Sequence, residues 1–197
     1  MTRTAGAAAA AAAPKEGAPA PDAGAPAVLG PAPRLAAGER VLLLGIGNDL
    51  RGDDGAGPRV ARALEGRVAW DLRAVHGLTP ELADDLAACD VALFVDADAD
   101  PARERPAWQH HHVRAAAAGA ATAGAGSAPG ALLLGHALDV PALLDLTVRL
   151  HGGAPRAVTL ALPARDFALG ETLTPAAAAG VEAAIQALLA LSAAPRP

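Results

Sequence analysis

Strand-like and helix-like segments alternate from residue 40 to residue 191, which predicts an α/β domain. The expected architecture has three layers: a mostly parallel, twisted sheet of about five strands with helices on both faces. Two observations carry this. The runs at 40–47 and 90–97 are continuously apolar, as strands buried on both faces are, and each ends in glycine or a carboxylate. Between and after them lie segments with helical spacing that open on proline.

In chain order, residues 1–38 are Ala, Pro and Gly with almost no branched aliphatics, and are expected to be a disordered tail. The folded domain is expected over 39–193. Its first strand is 40–47. PRVARAL at 58–64 opens with proline and sets Val60, Ala63 and Leu64 on one face, which predicts a helix. Residues 68–75 alternate as a strand does. Thr79-Pro80-Glu81 starts a helix that runs to about residue 88. The strand at 90–97 ends in Asp96. Residues 99–129, rich in Ala, Gly and Pro without a clear period, are read as a loop insertion. A short strand at 131–134, a helix at 140–150 capped by Asp139, a strand at 157–162 and a helix from Thr174-Pro175 to about 191 complete the domain.

Composition narrows the function. A net charge of −5 argues against binding a phosphate backbone. The single cysteine, Cys89, excludes an intrachain disulfide framework, fits a reducing compartment and is expected to be a buried, inert thiol. No window approaches 18 strongly apolar residues, so no membrane span is expected. The N-terminal alanine run is not read as a signal peptide, because Pro14-Lys15-Glu16 stands where a small-residue cleavage site belongs. A cytoplasmic monomer is the expectation.

The chemistry concentrates in VLLLGIGNDLRGDDGAG at 41–57, a strand running into a glycine-rich turn with adjacent carboxylates, Asp53 and Asp54. Such a turn usually cradles phosphate, which this acidic pair would repel; a cation suits it better. The dinucleotide fingerprint fails because Leu50 stands where its third glycine belongs. One of the two aspartates is expected to cap the following helix. Ligands of parallel sheets sit beyond the carboxyl ends of strands. There Asp54 follows the first strand, Asp96 ends the third and His136 follows the fourth, making an O/O/N set suited to Ni, Zn or Mn. His76 either lines the same rim or is structural. His110-His111-His112 reads as an exposed, non-catalytic run, since three consecutive side chains cannot easily face one ion. His151 reads as a helix end.

GIGNDLRGDDGAGPRVARAL resembles the G-x-G-N-x-L-x-x-D-[DE]-G-x-G signature of the [NiFe]-hydrogenase maturation proteases. The likeness continues through HGLTPELADDLAACDVALFVDADAD, GHALDVPALLDL and RAVTLALPARDFALGETLTPAA, so it covers residues 40 to 191 in order. It implies a maturation protease-like α/β fold. It also implies an endopeptidase that removes a C-terminal tail from the hydrogenase large-subunit precursor after nickel insertion. Asp54, Asp96 and His136 fall on the family's metal-contacting positions, with Asp54 and Asp96 as catalytic candidates. The nickel would be carried by the substrate, and no organic cofactor is expected. Gly45, Gly47 and Asn48 are expected to shape the loop that aims Asp54. Gly77 stands where many related sequences carry Gln, and the stretch before His136 is longer than the family pattern. The alternative is a non-catalytic metal- or nucleotide-binding module on the same scaffold.

Overall fold

The computed structural model describes residues 28–112 and 138–194. A five-stranded sheet runs in the order β2-β1-β3-β5-β4. Its strands are β1 (Val41–Ile46), β2 (Asp71–Val75), β3 (Val91–Asp98), β4 (Ala107–His111) and β5 (Arg156–Pro163). β1, β2, β3 and β5 are parallel, and β4 joins β5 antiparallel as an edge. The helices are α1 (Ala56–Ala63), α2 (Leu82–Ala87), α3 (Val140–His151) and α4 (Pro175–Ala193). The predicted three-layer α/β fold is the observed one.

Side-chain alternation along each strand divides the core in two. On one face Leu43, Leu93, Val95 and Leu160 pack against Val60 and Leu64 of α1 and against Ile185 and Leu188 of α4. On the other, Leu42, Leu44 and Phe94 pack against Leu82 and Leu86 of α2 and Leu143 and Leu144 of α3. The predicted Asp139 cap forms, its carboxylate accepting the Ala142 amide at 2.8 Å, and at the start of α4 the Thr174 hydroxyl accepts the Ala177 amide at 3.3 Å. α2, by contrast, begins at Leu82, later than the start expected at Thr79, and has no side-chain cap.

Several expectations need correction. β4 lies inside the stretch 99–129 read as a loop; the Ala- and Gly-rich average hid a five-residue strand whose edge pairing with β5 needs little hydrophobic alternation. Residues 28–38, assigned to the tail, are tied to the domain. Leu29 bridges to Ala107, Leu35 is buried, and the Arg156 guanidinium holds Glu39 at 2.7 Å and the Arg34 carbonyl at 3.0 Å. α1 begins two residues before Pro58. α4 has an 18-residue window of mean hydropathy 1.6, so by length and composition it meets the test for a membrane span that the sequence reading denied. Its Ala184, Ile185 and Leu188 nevertheless sit in the core beneath the sheet. The predicted strand at 131–134 lies outside the described residues.

Asp53 caps no helix. Its side chain is wholly buried and accepts four hydrogen bonds: from the Arg165 amide at 2.7 Å, the Asp166 amide at 3.1 Å, the Thr174 amide at 2.7 Å and the Thr174 hydroxyl at 2.8 Å. Backbone bonds run alongside, from the Asp53 amide to the Asp166 carbonyl at 2.8 Å and from Gly52 to the Gly170 carbonyl at 2.7 Å. Burial pushes the Asp53 carboxyl up, but the donors outweigh it and hold its proton affinity below the ordinary value. The loop after β1 is thereby fastened to the loop between β5 and α4. Asp53→Asn keeps the size but turns an amide toward backbone donors, stranding at least one of them. A loss of roughly 2–4 kcal/mol is expected in urea unfolding at pH 7; an unchanged midpoint would show that this network does not hold the loops.

Candidate active site at the carboxyl edge of the sheet

The chain leaves β1 toward β2 on one side and reaches β3 on the other, so the crevice between β1 and β3 is the topological switch point. Asp54 stands just past the end of β1, in the turn Gly52–Gly55, and Asp96 lies near the end of β3. Both line one cleft of about 530 Å³, together with His76, Leu78, Gln109, His111, Asp139 and Thr159.

Glycine makes the close approach possible. A Cβ on Gly45 would lie 2.3 Å from the Gly57 carbonyl oxygen, and one on Gly57 would lie 2.4 Å from those of Ile46 and Val95. α1 therefore rests directly on the backbone of β1 and β3. Gly47 adopts φ 134°, and a Cβ there would run into the Asp54 carbonyl at 1.8 Å. Beside it the Asn48 amide donates to Asp54 Oδ2 at 2.9 Å, while Asn48 Oδ1 accepts the Leu50 amide at 2.9 Å. The bond that orients Asp54 thus comes from the Asn48 main chain, and the Asn48 side chain shapes the turn.

Asp96 is half-buried, and its Oδ1 accepts its neighbour's amide, that of Ala97, at 2.8 Å. Burial is the main cause that raises its pKa to about 6; the Ala97 bond opposes this, and the negative charges of Asp54 and Asp98 add to it. A carboxyl poised near neutrality is suited to taking up a proton during a reaction.

His136 lies outside the described residues. Leu138 and Asp139, just after it in sequence, line the cleft. Among the described residues no three His, Cys, Asp or Glu side chains are grouped so as to hold a metal ion by themselves.

The histidine run differs from the expectation. In β4 its members alternate: His110 is exposed with Nε2 2.9 Å from the Pro31 carbonyl, whereas half-buried His111 lies in the cleft with Nε2 2.7 Å from Thr159 Oγ1. Burial lowers the His111 pKa, against the pull of Asp139 and with the help of His110 and His112. Had the strand been recognised, its period of two would have separated His111 from its neighbours. Exposed His76 is on the cleft, and His151 ends α3 with Nε2 2.9 Å from Asp84 Oδ1. At the opposite end of the sheet a hollow of about 250 Å³ contains Cys89. Burial chiefly pushes that thiol up to about 11, too high for a nucleophile at neutral pH.

No protein-family model and no curated protein matches the chain. Solved structures do match. The hydrogenase maturating endopeptidase HybD from E. coli superposes with a TM-score of 0.56 at 22% identity, over 77% of this chain and 90% of that one. The hydrogenase 2 maturation peptidase from a Thaumarchaeota archaeon gives 0.53 at 25% identity, over 77% and 96%. The [NiFe] hydrogenase maturation protease HycI from Thermococcus kodakarensis gives 0.52 at 22%, over 79% and 94%. The chain therefore has the hydrogenase maturation protease fold.

Raised proton affinity makes Asp96 a pH-dependent liability. Its pKa of about 6 in the folded protein lies above the ordinary 3.8, so between these values the folded state keeps a proton that the unfolded chain has released. Stability from this group is full at low pH and falls as pH rises toward about 6; above that, ionised Asp96 opposes folding by on the order of 3 kcal/mol. Asp96→Asn in metal-free protein should raise the melting temperature by several degrees at pH 7.5 and hardly at pH 4. Equal shifts at both pH values in differential scanning calorimetry would exclude a desolvated carboxyl.

Proposed function

We propose that this protein is an endopeptidase that removes the C-terminal extension of a [NiFe]-hydrogenase large-subunit precursor after nickel insertion, acting as a cytoplasmic monomer. The meeting of Asp54 and Asp96 on one cleft, at the switch point of the maturation protease fold, carries this reading. The likeness in fold identifies no substrate by itself; the acidic pair favours a cationic one.

In this proposal the nickel arrives as part of the substrate. Asp54 and Asp96 offer hard oxygen donors, and His136 would add an imidazole, completing a set that tolerates nickel. Processing then waits for the metal, because without it the three side chains have no shared partner and the peptide is not drawn in. Asp96 suits the role of general base. A water oxygen attacks the scissile carbonyl carbon while Asp96 takes the water's proton. The C–N bond then breaks, and the proton passes to the departing amine. Polarisation of the carbonyl by the bound nickel would assist the attack. The Asn48 amide holds Asp54 in place throughout.

Incubation with nickel-loaded precursor, followed by mass spectrometry, tests the proposal. Release of one C-terminal peptide is expected from loaded precursor and none from nickel-free precursor. Asp96→Asn should lower kcat by at least roughly a hundredfold, with Asp54→Asn and His136→Ala also strongly impaired. Wild-type kcat/KM, which reports the free enzyme, should fall about tenfold per pH unit below about 6, where unliganded Asp96 becomes protonated. Undiminished cleavage by the three variants would defeat the site assignment, and an intact precursor with wild-type protein would defeat the function.

A further inference from the structure

The cleft is longer than a pair of carboxylates requires. Strand register sets Asp96 opposite Ala161 on β5, with Thr159 two residues back, Gln109 opposite Thr159 and His111 opposite Ala157. Alternation therefore projects Asp96, Thr159, Gln109 and His111 from the same face of the sheet, and all four line the cleft. With about 3.3 Å per residue along a strand and about 4.8 Å between strands, the Cα atoms of Asp96 and His111 are roughly 16 Å apart. That distance matches about four or five residues of extended peptide.

The far end is polar and held in place. Thr159, itself buried, fixes the His111 ring through the 2.7 Å contact to Nε2. The Gln109 side chain has no hydrogen-bond partner among the described residues, so its donor and acceptor are available. Asp139 closes the wall at the start of α3, with one carboxylate oxygen already accepting the Ala142 amide.

We infer that Gln109 and His111, with Asp139, form the subsite for the peptide that is cut away. This rests on the endopeptidase reading, and bulk sets the direction. The retained side of the cleaved bond belongs to a folded protein that cannot enter a cleft of about 530 Å³, so the segment lying along it is the released tail. The amide and imidazole offer donors and acceptors that match main-chain N–H and C=O groups of an extended strand. The Asp139 charge admits neutral or basic side chains there and repels acidic ones.

Steady-state cleavage of nickel-loaded precursor separates this role from others. Gln109→Ala, an exposed position that can be emptied without disturbing the core, and His111→Ala should each raise KM about five- to tenfold, the effect of one or two lost hydrogen bonds, while kcat stays within about twofold. His111→Gln should recover part of the loss. On a precursor shortened to two residues beyond the cleaved bond, wild type and variants should share one KM. Unchanged KM in both alanine variants, a fall in kcat alone, or a penalty that persists on the shortened precursor would overturn the subsite. Absence of cleavage by wild-type protein would overturn the endopeptidase reading and the subsite with it.

Discussion

The buried carboxylate of Asp53 is the constraint on which the site is built. It gathers three backbone amides and one hydroxyl from the segment 165–174, joining the first loop of the domain to its last. Adjacent residues in a tight 3-10 turn point in different directions, so fixing Asp53 inward leaves Asp54 at the cleft. One side chain ties the loops together and its neighbour is left facing the cleft. The arrangement also explains how a turn bearing two consecutive acids tolerates its own charge: hydrogen-bond donors satisfy one carboxylate, and the other retains capacity for a guest.

The glycines at 45, 47 and 57 serve the same end from the other side. Gly45 and Gly57 remove the side chains that would separate α1 from β1 and β3, and Gly47 lets the main chain of Asp54 close against the end of β1, so the loop carrying Asp54 is located by contact between main chains. The crevice between β1 and β3 consequently receives two acids from segments distant in sequence. Crowding them there, with one carboxyl partly withdrawn from water, costs stability. That cost is a common accompaniment of groups kept ready to bind a cation or a proton.

Much of this could be read from the residues. Continuous apolar runs identified β1 and β3, proline starts marked helices, and Asp54 and Asp96 followed from the rule that sites gather beyond strand ends. What escaped notice did so for physical reasons. β4 is an edge strand, half exposed, and only two of its five residues, Ala107 and Trp108, are apolar; the strand is defined by hydrogen bonds to β5 rather than by an apolar pattern. Missing the strand meant missing His111, because only the strand's alternation turns that ring toward the cleft. Nothing in the sequence distinguishes the role of Asp53 from a helix cap at either aspartate, because its partners lie more than a hundred residues away and carry no local signature. The ties of residues 28–38 were invisible for a similar reason, since they depend on a sheet edge that had not been foreseen.

Trp108 gives the molecule an optical property of some use. The chain has two tryptophans and no tyrosine, and Trp108 is buried immediately before Gln109 on β4, its amide bonded to the Leu29 carbonyl at 2.9 Å. Any guest that bends or stiffens this strand alters the surroundings of an indole directly attached to the cleft wall. Replacing Trp70 with phenylalanine would leave one emitter, and the protein's own fluorescence would then report occupancy without an added dye.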